Sequence, residues 1–456
     1  MGRLRFLTAG ESHGKGLVAI VEGMVADLPL EAAYINRQLK RRQQGYGRGP
    51  RMEIEADEVD IMAGVRHGVT MGSPIALFIA NRDWTNWQQA MSITPPDEAA
   101  EAVICPRPGH ADLAGVTKYG LKDIRPVMER ASARETAARV AAGAVARRFL
   151  EEFGIAIHSH TVAIGHVSCE SSGSPVIASP DVIGTKQSQR PFTSFRGRKE
   201  SCDSDPSPPC RSERGEESLP AQNRLQGESR VDWQTVEASP VRCADETTEK
   251  AMMAAIDEAK ASGDTLGGIF EVVASGVTIG LGSHVSWDRR LDARIAEAIM
   301  SINAVKGVEI GTGFGSAGLR GSQAHDVIEP LTRTLSLEGR GLGEGEAKQC
   351  LPWRHATNHA GGIEGGMSNG EDIIVRAAVK PIATLAEPLS SIDLRNGKQA
   401  RAHYERSDVC AVPAAGVIAE AMLAIVLADA VLEKFGGDNL KESLANYHNY
   451  LSSIAQ

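Results

Sequence analysis

Two histidines lie next to glycines in short segments that could perform proton transfer. His13 lies in Gly10-Glu11-Ser12-His13-Gly14, and His110 lies in Arg107-Pro108-Gly109-His110-Ala111-Asp112. Imidazole can donate or accept a proton near neutral pH, and glycine allows a backbone to approach a ligand closely. Asp112 could orient the ring of His110. Each segment taken alone is equally compatible with a structural histidine in a turn or loop.

The first segment also matches G-x-S-x-G, the pattern in which a serine is the nucleophile of a hydrolase. That pattern requires a strand and a loop before the serine to form the oxyanion hole. Only eleven residues precede Ser12 in this sequence, which leaves no room for them. The important residue of the segment is therefore expected to be His13 and not Ser12.

Two clusters of arginines indicate a binding site for a small anion. The first is Arg42, Arg48 and Arg51 around the glycine-rich residues 45–50, and the second is Arg130 and Arg134 beside Ser132. Ser132 and Glu135 form a capping-box pattern, which predicts a helix from Ser132 to about Phe153. Arginines at a helix N-terminus oppose the helix dipole, unless an anion is bound by the free N–H groups there. Solvated surface charge is the alternative for Arg42 and Arg51.

Further segments carry weaker signals. Residues 313–318 match G-x-G-x-x-G, but Gly321 argues against the helix that a dinucleotide-binding fold requires there, so that fold is rejected. Residues 361–366 form a glycine-rich loop that could approach a ligand. Asp372 lies at the start of a predicted strand, and Lys380 and Thr384 lie beyond its other end.

The composition is that of a soluble globular protein, with 42% hydrophobic and 23% charged residues. The net charge of −9 argues against a protein that mainly binds nucleic acid. The seven cysteines include no C-x-x-C pair, so neither a disulfide framework nor a metal site is expected. No signal peptide and no membrane-spanning stretch is expected, which favours the cytoplasm.

The predicted elements indicate an α+β fold with buried helices packed against antiparallel sheets. Strands are predicted at 3–7, 17–24, 269–273 and 373–379, and helices from Pro29, from Ser132, and over 288–304 and 414–435. Residues 171–230 are rich in Ser, Pro, Arg and Glu and poor in apolar residues. We expect them to be a long disordered insertion in a single catalytic domain formed by residues 1–170 and 231–456.

Several longer segments, in this order, resemble the chorismate synthase family. They are G-E-S-H-G at 10–14, R-P-G-H-A-D at 107–112, R-A-S-A-R-E-T from 130, S-I-N-A-V-K-G-V-E-I-G at 301–311, G-S-Q at 321–323, N-H-A-G-G-I-E-G-G-M-S-N-G at 358–370, and R-x-D-x-C-A-V-P-A-A from 406. Together they cover nearly the whole chain outside 171–230. The resemblance implies antiparallel sheets that sandwich buried helices in β-α-β layers, and a homotetramer.

The resemblance also implies an activity and residue roles. The activity is a 1,4-anti elimination that converts 5-enolpyruvylshikimate 3-phosphate to chorismate and phosphate, with reduced FMN required but not consumed. His13 would assist the departure of phosphate, His110 would protonate the reduced flavin, and Asp372 would help to remove the substrate proton. The implied substrate-binding residues are Arg42, Arg48, Arg107 and Arg134. Arg42 and Arg48 also match positions linked with NADP, and the implied flavin contacts are Arg130, Ala131, Ser132, Asn303, Ala304, Gly365, Lys380, Pro381, Ile382, Ala383, Thr384 and Arg406.

Two other classes of function stay open at this point. One is a phosphate-substrate hydrolase, or another enzyme without flavin, that uses the same histidines and arginines; tight binding of reduced FMN would separate it from the lyase. The other is an RNA-binding protein that uses residues 37–51, although the acidic total charge and the few aromatic residues oppose it. No flavin-reductase domain is visible, so an external reductant is expected, with NADPH as a candidate ultimate source of electrons.

Overall fold

The computed structural model describes residues 3–49, 55–95, 101–169, 231–330 and 351–454. The predicted insertion at 171–230 and Arg51 lie outside these residues, so the insertion stays a prediction.

The described strands fall into two larger sheets and several small ones. They are β1 (Arg5–Gly10), β2 (Gly16–Glu22), β3 (Ala26–Pro29), β4 (Val59–Ala63), β5 (Val65–Arg66), β6 (Val69–Met71), β7 (Ile75–Ala80), β8 (Ala156–Ile164), β9 (Val167–Ser168), β10 (Gly268–Ser275), β11 (Val305–Ile310), β12 (Ile328–Pro330), β13 (Trp353–His355), β14 (Ile363–Glu364), β15 (Met367–Ser368), β16 (Ile373–Val379), β17 (Ser390–Ile392) and β18 (Gln399–Arg401).

The described helices alternate with these strands along the chain. They are α1 (Ala32–Gln43), α2 (Asp112–Tyr119), α3 (Arg125–Ala131), α4 (Thr136–Glu151), α5 (Trp233–Ala238), α6 (Glu246–Ala261), α7 (Leu291–Met300), α8 (Gly321–Ala324), α9 (Val412–Phe435) and α10 (Leu440–Ile454). Short 3-10 helices cover Arg82–Asn86, Ala133–Glu135, Trp287–Arg289 and Gly313–Gly318.

Two antiparallel sheets enclose a pair of buried helices. One sheet has the order β1-β2-β7-β4, and the other has the order β11-β16-β10-β8-β9. Helix α4 packs on β2 and β7, helix α9 packs on β8 and β10, and the two helices pack on each other. This arrangement confirms the predicted α+β fold with helices sandwiched between antiparallel sheets.

The two central helices touch through small residues. Alanines line both faces of α4, and a Cβ built on Gly143 would lie 2.4 Å from the Cβ of Ala421 and 2.6 Å from its Cα on α9. Such separations are far below van der Waals contact, so the backbones approach as closely as they do only because residue 143 has no side chain. Close packing through alanine and glycine explains how a chain with 4% aromatic residues fills its core.

Helix α9 is buried along almost all of its length, and two of its carboxylates are buried with it. Glu420 accepts hydrogen bonds from Arg41 (2.6 Å), Arg147 (2.6 Å) and the Ser159 hydroxyl (2.6 Å). Asp429 accepts one from the backbone N–H of Leu4 (2.7 Å). Burial alone would raise the pKa of Glu420, but its arginine partners hold that pKa well below the ordinary range. Glu420 therefore stays ionised inside the core because it is paired with arginines.

Helix α9 is also long and apolar enough to cross a membrane by length and composition. Its most apolar 18-residue window has a mean hydropathy of 2.1 and is entirely buried inside the protein. This burial identifies α9 as a core helix.

Several element boundaries differ from those predicted. Strand β16 begins and ends as predicted, and α9 begins two residues earlier than predicted. Pro29 does not start a helix, because it ends β3 and α1 begins only at Ala32. The predicted helix 288–304 is shorter, since α7 covers Leu291–Met300 and the chain then turns into β11.

The contact between Gly143 and Ala421 gives a prediction for stability. Gly143→Ala should lower the free energy of unfolding by about 1–3 kcal/mol, because the added methyl group overpacks a helix crossing. This loss should exceed the gain in helix propensity that alanine normally brings. Gly318→Ala is the matched control, since a Cβ there meets no atom within 4 Å. Urea unfolding followed by circular dichroism measures both, and equal midpoints for the two variants would contradict the prediction.

Candidate active site

His13 lies in the turn between β1 and β2 and is held by a buried carboxylate of α3. Glu129 accepts a hydrogen bond from the backbone N–H of His13 (2.7 Å), and its two oxygens lie 2.9 and 3.0 Å from His13 Nδ1. The backbone carbonyl of Glu129 also accepts the N–H of Ser12 (3.1 Å). The imidazole ring stacks on Trp87, with ring centroids 3.9 Å apart. The position and the orientation of the imidazole are therefore both fixed.

His110 is held in a similar way. Its Nδ1 lies 2.5 Å from Asp112 Oδ1, and Arg107 donates from Nε (2.8 Å) and from its backbone N–H (2.9 Å) to Asp112 Oδ2. Burial alone would raise the pKa of Asp112, but the hydrogen bonds from His110 and Arg107 hold it well below the ordinary range. Because an ionised carboxylate can only accept, Nδ1 of His110 carries a proton, which leaves Nε2 for other contacts.

The two histidines belong to one network of charges. Arg125 Nη1 lies 3.6 Å from Glu129 and 3.0 Å from Glu405, and Arg107 Nη1 lies 3.8 Å from the other oxygen of Glu405. Burial alone would raise the pKa of Glu405, but a hydrogen bond from His403 and the nearby charges of Arg107, Arg125 and His13 lower it. The structure thus brings both predicted catalytic histidines together.

A second cluster of arginines is almost fully buried. Asp57 Oδ2 lies 3.3 Å from Arg42 Nη1, and Asp57 also pairs with Arg134. The side chains of Arg42 and Arg134 are only 3% and 2% exposed. Burial lowers the pKa of Arg42, and the nearby Arg48 and Arg134 act in the same direction. Arg48 pairs with Asp408 (2.9 Å), so every arginine of this cluster has a carboxylate partner.

Asn81 joins this buried cluster to the turn that carries His13. Its Oδ1 accepts a hydrogen bond from Arg134 Nε (3.0 Å), and its Nδ2 donates to the carbonyls of Glu11 (3.0 Å) and Gly14 (2.9 Å). The backbone on both sides of His13 is therefore attached to the arginine cluster.

The predicted capping box is formed only in part, and the argument from the helix dipole was wrong for Arg130. The Ser132 hydroxyl accepts the N–H of Arg134 (3.3 Å), but the Glu135 side chain binds Thr8 and Arg139. Arg130 lies in the last turn of α3, where a positive charge is favourable. Helix α4 begins later than predicted, at Thr136.

Several of the predicted cofactor residues lie side by side at the open edge of this network. Asn303 Nδ2 donates to the carbonyl of Ala131 (3.0 Å), and the backbone N–H of Lys380 donates to the carbonyl of Ala304 (2.9 Å). Lys380 Nζ donates to the carbonyl of Gly109 (2.7 Å), next to His110. Ala304 has φ of +67°, a left-handed conformation that is uncommon for residues other than glycine. Such backbone strain concentrates at functional sites.

The charges at this edge suit an anionic ligand. Burial lowers the pKa of Lys380, and the positive charge of Lys306 lowers it further, so an anion would relieve the repulsion between the two ammonium groups. The side chain of Arg130 is 45% exposed, and the Ser132 hydroxyl lies 3.1 Å from that of Ser12. Exposed cations together with hydroxyl and amide groups can hold an anionic group such as a phosphate.

The remaining predicted cofactor residues fall in two places. Thr384 is buried and accepts a hydrogen bond from Arg107 Nη1 (3.1 Å), and the carbonyl of Ile382 accepts one from Thr265 (2.8 Å). Pro381 is exposed and Ala383 half-buried in the same segment. Arg406 is exposed and follows Glu405, a member of the histidine network.

Asp372 and Gly365 are not brought to this site within one chain. Asp372 immediately precedes β16, whereas Lys380 immediately follows it. At about 3.3 Å per residue, the two ends of that span lie roughly 26 Å apart. Gly365 belongs to the hairpin between β14 and β15, and its neighbour Gly366 lies against Arg290, on the side of Asp372.

The carboxylates that organise the site are the residues that sequence reasoning missed. Glu129, Asp57 and Glu405 carry no motif of their own, and each pairs with residues distant in the chain. Glu129 neighbours the predicted residue Arg130, and this proximity was the only sequence signal for it. Asp112 was the exception, because it lies two residues after His110.

Comparison with known proteins gives a consistent result. A family model for chorismate synthase matches residues 4–432. The chorismate synthase of Moorella thermoacetica is 50% identical over 99% of this chain and 100% of that protein, and that of Saccharopolyspora erythraea is 46% identical over 99% and 98%. A crystal structure of chorismate synthase superposes with a TM-score of 0.69 at 39% identity and covers 99% of this chain and 98% of that one. The chain belongs to the chorismate synthase family.

Proposed function

We propose that the protein eliminates phosphate from 5-enolpyruvylshikimate 3-phosphate in a 1,4-anti sense to give chorismate, the last common step towards the aromatic amino acids. The observation that carries this proposal is a pair of histidines, each fixed at Nδ1 by a buried carboxylate and linked through Arg107, Glu405 and Arg125. Two positioned proton-transfer groups among guanidinium groups suit the loss of phosphate from a polyanionic substrate.

His13 is the proposed acid for the departing phosphate. Glu129 holds Nδ1, so proton transfer to a ligand would use Nε2. A proton delivered from Nε2 would neutralise the charge that the phosphate gains as its ester bond breaks. Stacking on Trp87 limits rotation of the ring. His13 would therefore donate its proton from a ring whose orientation is fixed.

The buried arginines are proposed to hold the substrate in place together with His13 and His110. Arg42, Arg48, Arg107 and Arg134 each use part of their guanidinium for a carboxylate of the protein. A guanidinium is planar and has five N–H donors, so contacts with protein carboxylates fix the plane in which it meets a phosphate or carboxylate group. The carboxylates would therefore preorganise the arginines.

Reduced FMN is the proposed cofactor, held by Arg130, Ala131, Ser132, Asn303, Ala304, the segment 380–384 and Arg406. When bound, it would lend electron density transiently to the reaction without net oxidation. His110 stands next to this edge through the contact of Lys380 with Gly109, which suits a proton donor to the cofactor. We further propose that the reductant comes from outside the protein, ultimately from NADPH, and that the enzyme works in the cytoplasm.

A homotetramer is the proposed assembly. The outer face of the sheet β1-β2-β7-β4 carries Leu7, 68% exposed, directly opposite Ile20, 40% exposed. Contiguous apolar side chains on a sheet face are typical of a surface that another protein covers. If Gly365 and Asp372 act at the site, they must come from another subunit, because a strand length separates them from Lys380.

The activity is tested with purified protein, chemically reduced FMN and the enolpyruvyl substrate under anaerobic conditions. Phosphate and chorismate should appear in equal amounts, and His13→Ala and His110→Ala should each lower kcat by about 10²–10⁴-fold with folding retained. His448→Ala, on the exposed face of α10, is the control and should remain fully active. Phosphate without chorismate would support a hydrolase, and no phosphate release would refute the proposal.

Glu129 gives a second test, because it touches the proposed acid (2.9 Å) while its own side chain is only 1% exposed. Glu129→Gln should lower kcat by about 10- to 100-fold with little change in KM, since it replaces a charged hydrogen-bond acceptor worth 1.5–3 kcal/mol with a neutral one. Glu271→Gln is the matched control, because Glu271 is also buried and also contacts a histidine, His160 (3.1 Å), which is not part of this site. A loss of kcat as large in the control, or an effect confined to KM, would contradict the positioning role.

The assembly is tested by light scattering during gel filtration. The unmodified protein should have the mass of a tetramer, and Leu7→Glu should shift it to smaller species, because a charge would be buried at the contact. Ile93→Glu is the control, since Ile93 is 84% exposed and lies outside the sheet. A monomeric unmodified protein, or a tetramer unaffected by Leu7→Glu, would argue against this contact.

A further inference from the structure

Two cysteines that the proposed reaction does not use lie side by side in the core. Cys169 follows β9 and Cys243 precedes α6, and their sulfur atoms are 3.5 Å apart. They are separated by 74 positions in the chain. The two thiols thus come from the end of the β8–β9 hairpin and from the segment between α5 and α6.

Backbone contacts on both sides fix this pair. The N–H of Cys169 donates to the carbonyl of Val162 (2.9 Å), and the N–H of Cys243 donates to the Ser239 hydroxyl (3.0 Å). The N–H of Thr161 donates to the carbonyl of Arg242 (2.9 Å), which attaches the second cysteine's segment to β8. The sulfur atoms are therefore adjacent because their backbones are anchored to one strand.

The two thiols differ in acidity in the way that a reactive pair requires. A hydrogen bond from Cys169 lowers the pKa of Cys243 to about 7 despite burial, and the backbone N–H of Asp245 acts in the same direction. The same hydrogen bond, together with burial, raises the pKa of Cys169. Because the thiolate is the nucleophilic form, a hydrogen bond donated by Cys169 to the Cys243 sulfur 3.5 Å away favours Cys243 as the sulfur that reacts first.

We propose that Cys169 and Cys243 form a two-electron oxidation site that a hydroperoxide converts into an intramolecular disulfide. The Cys243 thiolate attacks one oxygen of the peroxide, so an S–O bond forms, the O–O bond breaks and hydroxide leaves. The Cys169 thiol then attacks the Cys243 sulfenic acid, so an S–S bond forms and water leaves. Two thiols are oxidised by two electrons, and hydrogen peroxide is reduced to two molecules of water.

Burial selects the oxidant. Cys169 is 8% exposed and Cys243 is 1% exposed, so a molecule the size of water has better access than a bulky disulfide such as oxidised glutathione. Bond formation requires the sulfurs to close from 3.5 Å to about 2.0 Å. The new bond would fasten the end of the β8–β9 hairpin to the start of α6. It would also restrict the unfolded chain, because it closes a loop of 74 residues.

The test uses the whole chain and hydrogen peroxide, with no activity measurement. After exposure and alkylation of the remaining thiols, mass spectrometry without reductant should find the peptide of Cys169 joined to that of Cys243. Two alkylatable thiols should be lost, and dithiothreitol should restore them. The oxidised protein should also unfold at a higher temperature than the reduced protein. Because no variant is required for this measurement, a failure to fold cannot obscure the result.

Variants then assign the roles. Cys243→Ser should abolish the cross-link and leave Cys169 alkylatable, whereas Cys169→Ser should abolish the cross-link and leave Cys243 as a sulfenic acid that dimedone traps. Cys410→Ser is the matched control, since Cys410 is fully buried elsewhere in the fold, just before α9, and its loss should leave the cross-link intact. Oxidation of both sulfurs to sulfinic acid without a cross-link, or a link from either to Cys202, Cys210 or Cys350, would overturn the proposal.

Discussion

The burial of two carboxylates in the central helix is the constraint on which the rest of the fold depends. An unpaired carboxylate in a protein interior is strongly destabilising, and removal of one partner from a buried pair costs about 3–5 kcal/mol. Glu420 therefore requires Arg41 of α1, Arg147 of α4 and Ser159 of β8 at the same time. Since these partners come from three elements, the carboxylate can be satisfied only when the layers are assembled in one arrangement.

The same assembly places the candidate active site at the N-terminal end of α4. Arg134 and Thr136 lie at the start of that helix, and Arg42 at the end of α1 donates to Thr136 Oγ1 (2.9 Å). Asn81 connects this end of the helix to the turn of His13, because it accepts a hydrogen bond from Arg134 and donates one to the carbonyl of Glu11. Helix α4, which packs on Ala421 at its centre, therefore also fixes the arginines at its N-terminal end. The packing of α4 in the core and the positions of the arginines in the site therefore depend on each other.

Sequence reasoning predicted the elements with strong local signals and the residues in compact motifs. Strand β16 was predicted at its observed bounds because its apolar run is bordered by a turn and by Lys380-Pro381. His110 and Asp112 were predicted together because they are two residues apart. Glu129 was missed because its partner His13 is 116 residues away, and nothing local marks a carboxylate that will be buried. The dipole argument for Arg130 failed because the chain forms a separate helix, α3, just before Ser132. Arg130 lies in the last turn of α3 and not at the N-terminus of the helix that was expected from Ser132.

The contact between Leu4 and Asp429 has a consequence for how the protein is made. The N–H of Leu4 bonds a carboxylate 425 positions later in the chain, and β1 leads directly into the turn of His13. The residue before β1 therefore makes this hydrogen bond only after α9, much later in the chain, has been synthesised. Loop-closure entropy makes such distant pairings slow. Strands β8 and β10, which α9 covers, therefore keep that face exposed until this helix has been made.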